Sequence, residues 1–227
     1  MIPALLSALR EIFDPRLRRI LALSILVSLA VMAALVGGLG YLLHRTALFD
    51  LWYLNGAVEL LGGLVILVLA WLLFPAIATL VLGFFLDDAI ALVEARRYPD
   101  LKPPNRQTLV AALGGGLRLA VLGIALNLLA LPLYLLLPGI NLVLFYLLNG
   151  WLLGREYFEL VALRRLDARQ TRLLWRAQRT RLVAAGAAIA FLLTLPLVNL
   201  AAPLVAALFM LHLVERLRDP RDVLASH

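Results

Sequence analysis

Cysteine is absent from this 227-residue chain, and lysine nearly so: 20 of the 21 basic residues are arginine. Without thiols there can be no disulfide, thiolate nucleophile or cysteine metal site. The three histidines, His44, His212 and His227, are scattered, so no histidine-based metal cluster is expected. His212 has apolar neighbours on both sides and reads as a packed or interfacial side chain. There is no G-x-x-x-x-G-K-[ST] loop, which excludes direct ATP drive from this chain. A serine elbow is missing too, as is any His/Asp/Glu cluster with ligand spacing. Glu156 and Glu159 lie close in sequence, but Arg155 and Arg164 flank them and ion pairing is their simpler role. The reading is a protein that is not an enzyme and needs no cofactor. Charge is scarce as well, at 15% of residues, where a soluble globular chain carries about a quarter.

What the chain has instead is apolar sequence, 63% of it, and a net charge of +7. The basic residues sit between the apolar runs. That placement points to the membrane surface and its anionic lipid heads, not to nucleic acid. Residues 2–13 carry Ile2, Leu5, Leu6, Leu9 and Phe13 at helical spacing, with Ser7, Arg10 and Glu11 on the other face. They predict a short amphipathic helix in the membrane interface. The uncharged run Ile20–Leu43 follows; its 24 residues are too long for the apolar part of a secretory signal and long enough to span a bilayer. Residues 44–56, with Trp52 and Tyr53, suit a membrane–water boundary. Leu60–Leu86 is a second uncharged run of 27 residues, in which Pro75 predicts a kink or a break. Glu59, at its edge, reads as solvated. Beyond Leu86 the pattern turns amphipathic, with Ile90, Val93 and the stem of Arg97 on one face, so the helix is expected to continue out of the bilayer. Tyr98–Arg106, with three prolines, is a loop.

The second half is patterned differently. Leu119–Leu137 is apolar but interrupted by Asn127 and Pro132; Leu142–Gly154 has only 13 residues. Leu182–Leu195 and Ala201–Val214 have 14 each. Helices of that length cover about 20 Å, short of the ~30 Å hydrocarbon core. The expectation is two helical hairpins that enter the bilayer partway and return, with tips at Pro138-Gly139-Ile140-Asn141-Leu142 and Pro196-Leu197-Val198-Asn199-Leu200. Asn141 and Asn199 would place amides at membrane depth, possible only inside protein or beside water. The competing reading is six ordinary spans with slightly short helices. The fold class is thus an all-α membrane protein, a single domain over residues 1–227, with two long transmembrane helices, two half-membrane hairpins and an amphipathic N-terminal helix.

Between the hairpins, residues 155–181 hold eight arginines, of which Arg169, Arg172, Arg176 and Arg179 share a helical face beside Trp175. The ordinary role of such a stripe is contact with lipid phosphates or water. Arginine and lysine number four in residues 1–19, one in 44–56, five in 87–118, eight in 155–181 and three in 215–227. The positive-inside rule then places both termini in the cytoplasm and the first loop outside.

The chain is organised around Asp14-Pro15-Arg16-Leu17-Arg18-Arg19, where the first long apolar helix begins. Pro15 suits the first helical turn, and the N–H groups after it, with the positive end of the helix dipole, make an anion site. On residue types alone, the commoner role for such arginines is to set topology and meet lipid heads. Four segments together resemble the CysZ-type sulfate permease family: Pro15–Arg19, Leu92-Val93-Glu94-Ala95-Arg96, Leu137–Asn141, and Pro196–Leu200 with Pro203. The resemblance implies a bacterial inner-membrane, multi-pass protein with two spanning helices and two pairs of half-membrane helices, assembled as a homo-oligomer. It implies sulfate uptake for cysteine biosynthesis, by a channel-like or proton-linked route, and turns the reading of Arg18 and Arg19 toward an anion site. The family's sulfate-binding Gly-aliphatic-Arg-Arg segment corresponds to Arg16, Leu17, Arg18 and Arg19. Arg16 stands where the family has Gly, adding both a side chain at the backbone and a further charge. The alternative from a different class is a structural or lipid-organising membrane protein without transport activity.

Overall fold

A computed structural model describes residues 1–45, 52–101, 103–104, 109–136, 138–195 and 198–218. Among these residues all regular structure is helical. The elements are α1 (Ile2–Glu11), α2 (Pro15–Arg45), α3 (Trp52–Arg97), α4 (Leu109–Leu136), α5 (Asn141–Ala162), α6 (Ala168–Ala177), α7 (Arg179–Thr194) and α8 (Ala202–Arg218). Short 3₁₀ turns, Pro138–Ile140 and Val198–Leu200, join α4 to α5 and α7 to α8. Both expected tips are therefore turns between helices. Leu137, Pro196 and Leu197 of those tips lie outside the described residues.

The chain forms two compact units, Pro15–Asp87 on the one hand and Met1–Asp14 with Asp88–His227 on the other. In the first, α2 and α3 are long and apolar enough to cross a membrane. Large apolar side chains stand open along both, among them Leu26, Leu42, Trp71 and Phe84. So continuous an apolar surface suits hydrocarbon, not water. Pro75 sits inside α3 without ending it. Loss of one N–H removes a single ladder bond, and the 46-residue helix carries on to Arg97. The expected continuation beyond Leu86 is present, with Ala89, Ile90 and Val93 buried. Gly62 of α3 lies against the Leu43 side chain of α2, where an added Cβ would come within 2.6 Å of it.

Polar side chains within the apolar helices satisfy themselves locally. Ser24 Oγ donates to the Leu21 carbonyl (2.8 Å) and Ser28 Oγ to the Ser24 carbonyl (2.7 Å). Asn127 Nδ2 donates to the Gly123 carbonyl and Asn149 Nδ2 to that of Phe145, both at 2.9 Å. Each uses the preceding turn, the one partner always in reach where water is absent.

In the second unit, α5 packs most extensively against α7. Gly150 and Gly154 of α5, spaced as Gly-x-x-x-Gly, meet Gly186 of α7. A Cβ on Gly154 would lie 2.5 Å from the Leu182 carbonyl oxygen, and one on Gly186 would collide with the backbone of Gly150 and Gly154. The helices thus touch backbone to backbone, as membrane helices do where small residues line the crossing. Helix α8 is enclosed along nearly its whole length, from Ala202 to Val214. Helix α6 starts on a capping box: the Asp167 carboxylate accepts from the Arg169 and Gln170 N–H groups, and the Gln170 side chain accepts from the Asp167 N–H. Trp175 anchors it, 5.6 Å from Phe158 and 6.5 Å from Trp151 between ring centres.

Helix α1 faces the protein with small residues and leaves its large apolar ones outward. Ala4, Ala8 and Glu11 are buried in its packing with α8, while Ile2, Leu6 and Phe13 remain exposed. Small residues allow the close approach; the large apolar ones are left over, available to a membrane interface.

The glycine crossing gives a direct test. Gly186→Ala should lower the thermal unfolding temperature in detergent sharply or prevent folding. Gly123→Ala, whose added Cβ would make ordinary 3.7 Å contacts with Leu152, should leave it nearly unchanged. Equal behaviour of the two variants would contradict the backbone contact.

Candidate anion site

Pro15 is the first residue of α2, and no acidic residue occupies the helix's first turn. The leading N–H groups of a helix have no acceptor within it, and those after Pro15 belong to Arg16, Leu17 and Arg18. Successive residues are rotated by about 100°, which places Arg18, Arg19 and Arg16 on one broad sector and Leu17 opposite. The burial agrees: Leu17 is 1% exposed, and the three arginines are exposed. The four predicted residues therefore come together as one turn, cationic outside and anchored inside by a leucine. Asp14 immediately precedes this turn, and its carboxylate is paired with Arg96.

The two asparagines sit apart from that turn along the chain, one in each hairpin. Asn141 opens α5, and its Oδ1 is buried without a hydrogen-bond partner, as is the Tyr134 hydroxyl of α4. Asn199 lies in the second 3₁₀ turn, half-buried, with its N–H donating to the Leu195 carbonyl at 2.8 Å.

The arginine stripe is split. Arg169, Arg172 and Arg176 are exposed on α6, whereas Arg179 begins α7 after a break at Gln178. Arg155 pairs with Glu159 at 2.8 Å, as its spacing suggested, and lies over the rings of Trp151 and Trp175. Arg164 does not join that pair but turns to Glu94, at 3.1 Å.

Glu94 belongs to a buried charge network that sequence reasoning did not find. Arg164 and Arg165 both bind its Oε2, Arg165 at 2.9 Å. Nε and Nη1 of Arg165 have no hydrogen-bond partner. A second carboxylate, Glu11, accepts from Arg97 Nε at 3.1 Å and lies 2.8 Å from Nε2 of His212. The other ring nitrogen, Nδ1, is 2.8 Å from the Tyr98 hydroxyl. Burial pushes the Tyr98 hydroxyl above the usual tyrosine range, with the Glu215 charge adding to it and Arg216 opposing. The partners of Glu11 lie 86 and 201 residues away in sequence, which is why no local pattern shows them. The only hints were acids and bases stranded beside apolar faces.

The family model described as Sulfate transporter CysZ/Etoposide-induced protein 2.4 matches residues 4–203. That span contains the α2 turn, both hairpin tips and Glu94. No curated protein matches the chain.

Glu94→Ala should destabilise the protein by about 3–5 kcal/mol, because it removes the carboxylate shared by two largely buried guanidinium groups. Chemical unfolding in mild detergent measures this. A variant within about 0.5 kcal/mol of the parent, the range of ordinary surface changes, would show that the network is not structural.

Proposed function

Because the chain belongs to the Sulfate transporter CysZ/Etoposide-induced protein 2.4 family, we propose that it forms one integral membrane domain that carries sulfate across the bacterial inner membrane, toward cysteine biosynthesis. The observation that supports this reading most is the first turn of α2 inside the matched span, with Arg16, Arg18 and Arg19 outward and Leu17 buried. A dianion needs charge-assisted donors, and the planar guanidinium offers them in pairs. Leu17 and Arg18 add backbone N–H groups at the positive end of the helix dipole. Arg16, in place of the family's Gly, adds a third cation. A shallow site at the membrane edge binds firmly enough to collect the ion and weakly enough to release it.

The hairpins α4–α5 and α7–α8 enter the bilayer partway from the cytoplasmic side, where both termini also lie. The unpartnered Asn141 Oδ1 and Tyr134 hydroxyl support a first tip beside water or beside a second copy of the chain, since buried polar atoms are seldom left alone. A homo-oligomer would supply that cover. One observation favours the alternative, a lipid-organising protein: Arg169, Arg172 and Arg176 form an exposed cationic face on α6, with Leu173 57% exposed among them.

Two experiments decide. Arg18→Ala with Arg19→Ala should abolish measurable sulfate binding and uptake into proteoliposomes while insertion and assembly persist; each lost charge-assisted bond is worth roughly 1.5–3 kcal/mol, about ten- to a hundredfold. Arg176→Ala should leave both nearly unchanged. Sulfate flux surviving the double substitution would make the arginines topology anchors, and absence of flux from the parent would favour the lipid role. For the hairpins, single cysteines at Ile140 and Val198 should resist membrane-impermeant thiol reagents applied from the periplasm. Ready labelling there would establish six full spans.

A further inference from the structure

Glu11, Tyr98 and His212 lie in one unit of the structure and form a continuous chain of hydrogen bonds. His212 is buried in α8, its side chain 5% exposed, and Glu11 on α1 is 7% exposed. With a neutral ring, Nε2–H donates to the Glu11 carboxylate and Nδ1 accepts from the Tyr98 O–H. With a protonated ring, Nε2–H still donates to Glu11, and Nδ1–H donates to the Tyr98 oxygen once that hydroxyl rotates. Both charge states therefore fit the same geometry, and neither strands a ring nitrogen. His is the side chain whose ordinary titration falls near neutral pH.

We propose that His212 is a reversible protonation site whose charge governs how firmly α1 is held on α8. Protonation turns a neutral hydrogen bond to Glu11 into an ion pair inside a water-poor contact, where charge pairing is weakly screened. Acid therefore tightens the docking of α1. Several other charges around the contact are engaged with one another. Arg97 holds Glu11, Arg96 holds Asp14, Arg164 and Arg165 hold Glu94, and Arg218 holds Glu215 at 2.9 Å. Of the remaining charged groups on elements packed against α8, Arg10 of α1 and Arg179 and Arg181 of α7 are exposed; α5 brings the Arg155–Glu159 pair and Glu156, and Arg216 acts on Tyr98. Of the two partners of Glu11, Arg97 and His212, the imidazole is the one that this hydrogen-bond chain accommodates in either charge state. Only Ile12, Phe13 and Asp14 separate α1 from the arginine turn of α2 along the chain. The docking of α1 therefore holds the chain just before the proposed anion site begins, and His212 is a positioning residue for α1. This last step alone rests on the sulfate reading.

Hydrogen exchange on the full-length protein in lipid nanodiscs tests the proposal, following the α1 amides from roughly pH 8 to pH 6 with correction for intrinsic exchange. In the parent, α1 exchange should slow by about three- to tenfold, tenfold per pH unit being the limit for one linked proton. His212→Gln keeps a donor for Glu11 and an acceptor for Tyr98 but cannot take up charge, so its α1 should be docked and pH-independent. Glu11→Gln removes the other half of the ion pair and should flatten the profile too; it decides the matter if His212→Gln does not assemble. A flat parent profile, or a parent-like slope in either variant, would overturn the proposal. Sulfate flux over the same pH range should follow the exchange profile. If the parent carries no sulfate the transport reading fails, yet the exchange data still decide on the protonation site.

Discussion

A carboxylate taken out of water must meet cations or surrender its charge, and two such groups, Glu11 and Glu94, knit the second unit together. Glu94 near the end of α3 holds Arg164 and Arg165 from the turn after α5. Glu11 on α1 holds Arg97 at the end of α3 and His212 in α8. Four pieces of chain, distant in sequence, are thereby fixed in one arrangement. Apolar packing alone would allow several, because helices with smooth faces can slide or rotate at little cost. Removing one member of such a pair strands the other's charge in the interior, which costs more than the intact pair contributes.

The long apolar helices follow the opposite rule. There the polar side chains, Ser24, Ser28 and Asn127, turn back onto their own helix and ask nothing of distant partners. Tyr134 and Asn141 differ from these: they flank the first 3₁₀ turn with a hydroxyl and a carbonyl oxygen unmet. The first tip thus contrasts with the local satisfaction found at those three side chains.

The elements legible in the sequence were those written in local pattern. Charge-free runs revealed α2 and α3, and the amphipathic stretch beyond Leu86 revealed that α3 continues to Arg97. Proline with asparagine revealed the turns after α4 and α7. Pro15 announced the start of α2 and so the arginine turn. Three things were hidden. Helix α1 packs through Ala4 and Ala8, residues too small to stand out in a hydrophobic pattern. Arg164 was flanked by local acids yet chose Glu94, 70 residues away, because the turn after α5 aims it there. The break at Gln178, which divides the arginine stripe between α6 and α7, carries no proline or glycine to betray it. Each miss reflects a choice made by tertiary geometry among residues whose types were already apparent.

The glycine crossing of α5 and α7 also bears on the mechanics of the protein. Where Gly150, Gly154 and Gly186 meet, there are no side chains to disengage, re-rotamerise or unlock. Such a joint has no intermediate setting: the backbones are either in contact or apart, and parting them would open a void with nothing to fill it. The two helices therefore form a single stiff beam built from one arm of each hairpin. Any rearrangement of this unit that spares the crossing must carry α5 and α7 together as one body.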